Sequence, residues 1–224
     1  MTSKKQVEAL DLQFAPLEEI VRCAWKIGRT IDLTGVGYGR VHWDNFQDII
    51  TEPFPYYFFL AGFANLSQAG RMCEIGTHWG GSTLALRRGV ASGIDPDIVT
   101  IDFSRKSRLD QEEGIHKIVG EGGSRSVLQT VVEHFGRQAG IDLLFIDSHH
   151  TFSATFSQYC EYTTLLRPRF AILDDISLNA EMAEAWQLIE KTVSPGEALD
   201  ASEVVRDIRD GQGFGLVRFR QNFA

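Results

Sequence analysis

The sequence predicts an α/β domain with a doubly wound, mostly parallel sheet closed by a C-terminal antiparallel hairpin, and three observations carry that expectation. From Arg71 onward, short β-like runs alternate with helical segments, the pattern that crossover helices between parallel strands produce. A glycine-rich segment stands where the first of these runs hands over to a helix. Near the end, two β-like runs in VVRDIRDGQGFGLVRF flank the turn signal Asp210-Gly211-Gln212-Gly213, which favours antiparallel pairing.

In chain order, Leu17, Ile20, Val21, Ala24 and Ile27 recur at helical spacing, so an amphipathic helix is expected over Leu17 to Arg29. Gly35 to Asp44, GVGYGRVHWD, holds three glycines and two aromatics and reads as a loop or flap. A second helix is expected from Tyr56 to Ser67. Strands are expected at Met72–Ile75, Ile98–Asp102, Lys117–Val119, Asp142–Asp147 and Phe170–Asp174. Between them, helices fit at Ser82–Gly89, Ser124–Phe135, Ser153–Leu166 and Ala180–Thr192. The division expected is an N-terminal helical or cap segment over residues 1–70 and an α/β core over 71–224, together one compact unit.

Composition narrows the function. With 224 residues, 43% hydrophobic and 23% charged, the chain has enough apolar material for a packed core. A net charge of -8 without a long basic run opposes binding to a phosphate backbone, so nucleic acid is not an expected partner. Cys23, Cys73 and Cys160 are odd in number and widely spaced, which suggests neither a disulfide framework nor a zinc cluster. Met1 to Leu10 lacks the apolar stretch of a secretory signal, and the most apolar run, Phe54 to Ala64, is too short to cross a bilayer. A cytoplasmic protein without a membrane partner is therefore expected. The aromatic segment Pro53 to Phe63 is either a homo-oligomer contact or a helix under the sheet.

The strongest local signal is Glu74-Ile75-Gly76-Thr77-His78-Trp79-Gly80-Gly81-Ser82-Thr83. Ligands of open α/β sheets bind beyond the carboxyl ends of the strands, and glycines there let backbone approach a ligand. Asp102, about twenty residues after Gly81 at the end of the second expected strand, is placed to accept hydrogen bonds from both hydroxyls of a ribose. Gly120 and Glu121 follow the third strand. Asp147 ends the fourth and Asp174-Asp175 the fifth; neighbouring strands lie about 4.8 Å apart, so these carboxylates can converge. A divalent cation with oxygen ligands, Mg²⁺ foremost, would relieve their repulsion and polarise a substrate hydroxyl. A neutral His149 or His150 could take the hydroxyl proton near neutral pH. Tyr38, His42, Trp43 and Trp79 are candidates for a lid over a flat substrate.

The motif is E-x-G-x-x-x-G-G-S-T and not G-x-G-x-x-G, which disfavours a dinucleotide fingerprint. It resembles motif I of class I S-adenosylmethionine-dependent methyltransferases. Ile146 to Phe152, IDSHHTF, with Leu173-Asp174-Asp175-Ile176 and Ala185-Trp186 downstream, resembles the methyltransferase group that includes cephalosporin hydroxylase-like proteins and macrocin-type sugar O-methyltransferases. The resemblance spans Arg71 to Phe219. It implies a Rossmann-like fold, S-adenosylmethionine held by Glu74, Gly76, Thr77, Gly80, Gly81, Ser82, Asp102, Gly120, Glu121 and Asp147, and a divalent metal held by Asp147, Asp174 and Asp175. It also implies transfer of a methyl group to a hydroxyl of a small molecule, a sugar-bearing natural product or another polyol. This sequence departs from the group in carrying His149 where the relatives have a second acid, with His150 standing at their histidine. A metal-independent methyltransferase and a non-catalytic cofactor-binding accessory protein are the alternatives.

Overall fold

The structure, a computed structural model, describes residues 10–37, 52–104, 107–209 and 211–220. Helix α1 covers Leu17–Gly28 and turns Leu17, Ile20, Val21 and Ala24 inward. Helix α2, Pro55–Leu66, starts on a proline at its first position, where no amide partner is lost. It is apolar all round because it is buried all round: Tyr56, Tyr57, Phe59, Leu60 and Phe63 are all inaccessible or nearly so. The two helices touch backbone to backbone. A Cβ on Gly62 would fall 1.9 Å from the Ala24 carbonyl oxygen, and one on Gly28 1.7 Å from that of Phe58.

The sheet follows. Strands β1 (Arg71–Ile75), β2 (Asp97–Asp102), β3 (Ile115–Val119), β4 (Leu143–Ile146) and β5 (Phe170–Asp174) alternate with helices α3 (Gly81–Gly89), α4 (Arg125–Phe135), α5 (Phe152–Leu166) and α6 (Ala180–Glu190). The N-termini of α4, α5 and α6 are capped by Ser124, Thr151 and Asn179, whose side chains accept from Val127, Ala154 and Met182 amides. Short elements complete the chain: β6 (Ala198–Asp200), α7 (Ala201–Val204), a 3-10 turn over Arg206–Ile208 and β7 (Phe214–Arg218). Seven strands lie in the order β3-β2-β1-β4-β5-β7-β6, with β1 to β5 parallel and β7 antiparallel to both of its neighbours.

Each face of the sheet is covered. On one side, α1, α2 and α3 pack over Met72, Ile98, Leu143, Phe145, Phe170 and Ile172. On the other, α4, α5 and α6 cover Cys73, Val99, Leu144, Ala171 and Val217. This is the doubly wound arrangement expected from the alternation of runs. The antiparallel ending is present as well, but with a different first strand: β7 pairs with β6 at Ala198–Asp200, not with the run around Val204 to Asp207. The reason is local. Asp200 accepts from the Ser202 amide to start α7, and Arg206, Asp207 and Arg209 break the alternation that a strand needs.

Candidate active site

The register of the parallel strands decides which residues meet. Ile75 pairs with Ile101 on one side and Ile146 on the other, Ile101 with Ile118, and Ile146 with Leu173. One residue further along, Gly76, Asp102, Asp147 and Asp174 therefore emerge together at the carboxyl edge. Chain order reverses between β1 and β4, so this is the topological switch point, where open α/β sheets keep their ligands. A crevice of about 610 Å³ opens there. That lies within the roughly 300–1,000 Å³ usual for small-molecule clefts.

The β1 side of the crevice is built by the glycine turn. Gly76 has φ +104, and a Cβ on it would lie 1.6 Å from the Asp147 carbonyl oxygen, so only glycine lets this turn lie against the end of β4. His78 follows in the left-handed region at φ 45, a strained conformation on the crevice wall. Its amide donates to Asp102 Oδ2 at 2.8 Å, and the Ser104 amide donates to Asp102 Oδ1 at 3.0 Å. These bonds orient the Asp102 carboxylate at the crevice wall. Thr77, Ser82, Gly120 and Gly122 line the same side. The Tyr162 hydroxyl donates to the Gly122 carbonyl at 2.7 Å and fixes that turn.

Glu74 lies beneath the turn and off the crevice wall. It is fully buried, accepts from the hydroxyls of Ser82 (2.5 Å) and Thr100 (2.6 Å), and also accepts from Thr83. Burial pushes its carboxyl from an ordinary 4.5 up to about 7, against the three hydroxyls that lower it. An acid whose proton is held more tightly in the fold than in the open chain adds stability that is complete below about pH 4.5 and lost as pH climbs through about 7. The loss comes to roughly 3 kcal/mol. Glu74→Gln, which cannot ionise, is expected to flatten this part of the stability curve. Urea unfolding of both proteins at either end of that range checks it, and equal pH slopes would contradict it.

The β4 and β5 side carries the acids. Asp147, Asp174 and Asp175 all line the crevice, and Asp175 adopts the left-handed region at φ 57. Arg209 reaches both members of the pair: its Nε lies 3.2 Å from Asp174 Oδ1, and a terminal nitrogen lies 2.8 Å from Asp175 Oδ1. The guanidinium also sits 5.2 Å from the centre of the Tyr56 ring. Burial first, then the neighbouring Asp147 charge, holds Asp174 well above the usual carboxylate range, with Arg209 pulling the other way.

The two histidines part company. His149 is exposed, its ring 5.2 Å from that of Phe103 at the crevice mouth. His150 turns inward, with Nε2 buried 3.3 Å from Asp175 Oδ2 and 3.5 Å from Asp147 Oδ1, yet aligned for a hydrogen bond with neither. The Asp147 carboxylate outweighs burial and raises the affinity of His150 for a proton. The loop is held by Asn179, which donates to the His150 carbonyl at 3.1 Å, and by Thr155, which donates to that of His149 at 3.2 Å.

Of the residues expected to form the site, Gly76, Thr77, Ser82, Asp102, Gly120, Asp147, His149, His150, Asp174 and Asp175 share this one crevice. Glu74, Gly80, Gly81 and Glu121 stand off its wall. Gly80 packs on Leu109 and Gly81 on the Tyr57 ring, and Glu121 is exposed. Trp79 is half-buried, edge-on to His78, and also off the wall. Tyr38, His42 and Trp43 lie outside the described residues. Sequence reasoning missed Arg209, Phe103, Tyr56, Tyr57 and Gln158, all on the wall. The charges at 206, 207 and 209 within a supposed strand were the available signal for Arg209.

Comparison with known proteins agrees with the geometry. A family model described as a methyltransferase domain matches residues 73–176. No curated protein sequence matches the chain. Among solved structures, the fold is similar to the O-methyltransferase TomG from Streptomyces achromogenes in complex with SAM, at 19% identity and a TM-score of 0.58 over 91% of this chain and 90% of that one. It is similar to the O-methyltransferase from Bacillus cereus in complex with SAH, at 18% identity and a TM-score of 0.56 over 90% and 91%. Cofactor-bound Rv0187 from MTB matches at 21% identity and a TM-score of 0.55 over 91% of both chains. Among the described residues no helix is long and apolar enough to cross a membrane. The strand order, the glycine turn at the switch point and the matched domain converge on one conclusion: residues 73–176 match a methyltransferase domain, and the chain has the class I methyltransferase fold.

Proposed function

We propose that the chain transfers the methyl group of S-adenosylmethionine to a hydroxyl of a small molecule, with a divalent cation, Mg²⁺ by its preference for oxygen, held by Asp147, Asp174 and Asp175. One observation carries this reading: the glycine turn with Asp102, and the three acids with His150, face each other across a single crevice. The donors suit such a cation. Three carboxylates stand at neighbouring strand ends, and the buried His150 Nε2 beside them lacks an aligned partner. Arg209 would have to leave the acid pair.

S-Adenosylmethionine supplies a sulfonium methyl, an electrophile that needs no further activation. A bound cation would lower the pKa of an acceptor hydroxyl. The protein supplies the rest. Asp102 accepts the ribose hydroxyls, and the turns at Gly76 and Gly120 bring backbone close to the ligand. Phe103 offers an exposed apolar face beside Asp102. His150 accepts the hydroxyl proton at Nε2, which lies beside the acids on the crevice wall. Tyr56 and Tyr57, buried in α2, close the wall against water. A vicinal diol, as in a sugar or a catechol, presents two oxygens to one centre and is the acceptor class this arrangement suits.

Arg209 favours a second reading, in which its guanidinium already neutralises Asp174 and Asp175 and a histidine acts without metal. Methyl transfer to a panel of diols and catechols, assayed after chelation and after return of Mg²⁺, separates the two. Turnover lost to the chelator and restored by Mg²⁺ is expected; turnover indifferent to both would establish the second reading.

A further inference from the structure

At the opposite end of β2 from Asp102, about 17 Å away along the strand, a second group of ionisable side chains converges from three elements. Asp97 is the first residue of β2, His116 the second of β3, and His134 stands in the last turn of α4. His134 Nε2 lies 2.6 Å from Asp97 Oδ1, and His116 Nε2 lies 3.6 Å from the same oxygen. The imidazole rings sit side by side, their centres 4.3 Å apart. Among the described residues this is the one group of three histidine, cysteine or acidic side chains whose ligand atoms all lie within 4.8 Å of one another.

We propose that Asp97, His116 and His134 bind a divalent transition-metal cation of the zinc type, at a site separate from the methyl-transfer crevice. Two imidazoles and one carboxylate suit zinc or its neighbours and do not suit Mg²⁺, which seeks oxygen. The spacing fits as well: bonds of about 2.0–2.2 Å from each donor place ligand atoms about 3 Å apart, so the present distances need only small side-chain adjustments. Arg71 provides the outer support. Its Nε faces Asp97 Oδ2 at 3.8 Å, while its terminal nitrogens donate to the carbonyls of Phe135 (2.9 Å) and Gly140 (3.1 Å). The arginine is thereby anchored, and it turns the Asp97 carboxylate so that Oδ1 faces the histidines. Three protein ligands leave a fourth position to water or to a ligand from solution. The cation would tie the exposed edge strand β3 to β2 and α4, which stabilises the folded chain by mass action.

The test uses the full chain without a histidine tag, stripped by chelation and titrated calorimetrically with Zn²⁺ alone. Four proteins are compared: wild type, His116→Ala, His134→Ala, and the Asp174→Asn, Asp175→Asn double variant. His116 is half exposed, so its replacement leaves the fold in place. One Zn²⁺ per chain is expected in the wild type and in the acid-pair variant. Each histidine variant is expected to lose at least about tenfold in affinity and the thermal shift that Zn²⁺ gives the wild type. Equal affinity in all four proteins would overturn the assignment, and so would binding that disappears only in the acid-pair variant, which would place the ion in the crevice.

Discussion

Replacing Asp174 and Asp175 together by asparagine should slow methyl transfer at least about a hundredfold while leaving S-adenosylmethionine affinity unchanged. The magnitude follows from the several kcal/mol that Lewis-acid stabilisation of a developing oxyanion contributes. Asparagine keeps the shape of the acid and removes the charge that holds a cation. Folding should survive, because the asparagine amide oxygens can still accept from Arg209. Cofactor affinity should survive too, because Asp102, the carboxylate proposed to meet the ribose, is on β2, three strands from β5. Single-turnover assays with labelled cofactor, beside calorimetric binding, separate the two effects. A variant that binds normally and turns over at the wild-type rate would remove the acid pair from the chemistry and leave His150 to act alone.

How much of this was legible in the sequence depended on how local the determining physics was. The parallel core was readable because most of its strands are short apolar runs and three of its helices begin at a capping residue, Ser124, Thr151 and Asn179. Asp102, Asp147 and Asp174 could be found because they end strands whose register is set by the apolar residues just before them. Glu74 could not be placed by that argument. It belongs to the same motif as Gly76, yet pleat alternation turns it under the sheet, where it gathers Ser82, Thr83 and Thr100 in place of a ligand. Arg209 was hidden for the opposite reason: its partners are 34 and 35 positions earlier, and no local pattern links a 3-10 turn to an acid pair on another strand. The first strand of the antiparallel ending was misplaced because β6 is only three residues long, too short to show alternation against the charged run that follows.

The second large effect concerns Asp102. Each hydrogen bond from a ribose hydroxyl to a charged acceptor contributes about 1.5–3 kcal/mol, so losing two is expected to weaken cofactor binding by about 10² to 10⁴. Asp102 also receives the His78 and Ser104 amides, and removing it frees the turn that lines the crevice. Asp102→Asn, which retains one acceptor oxygen, is expected to fall between alanine and wild type. The most direct measurement is therefore a calorimetric titration of S-adenosylmethionine into the wild-type chain and into Asp102→Ala, with thermal melts to confirm that both are folded. Saturable binding at one site per chain, weakened at least about a hundredfold in the variant, is the result expected. No binding by the wild type, or equal binding by both, would contradict the claim that this crevice holds the cofactor.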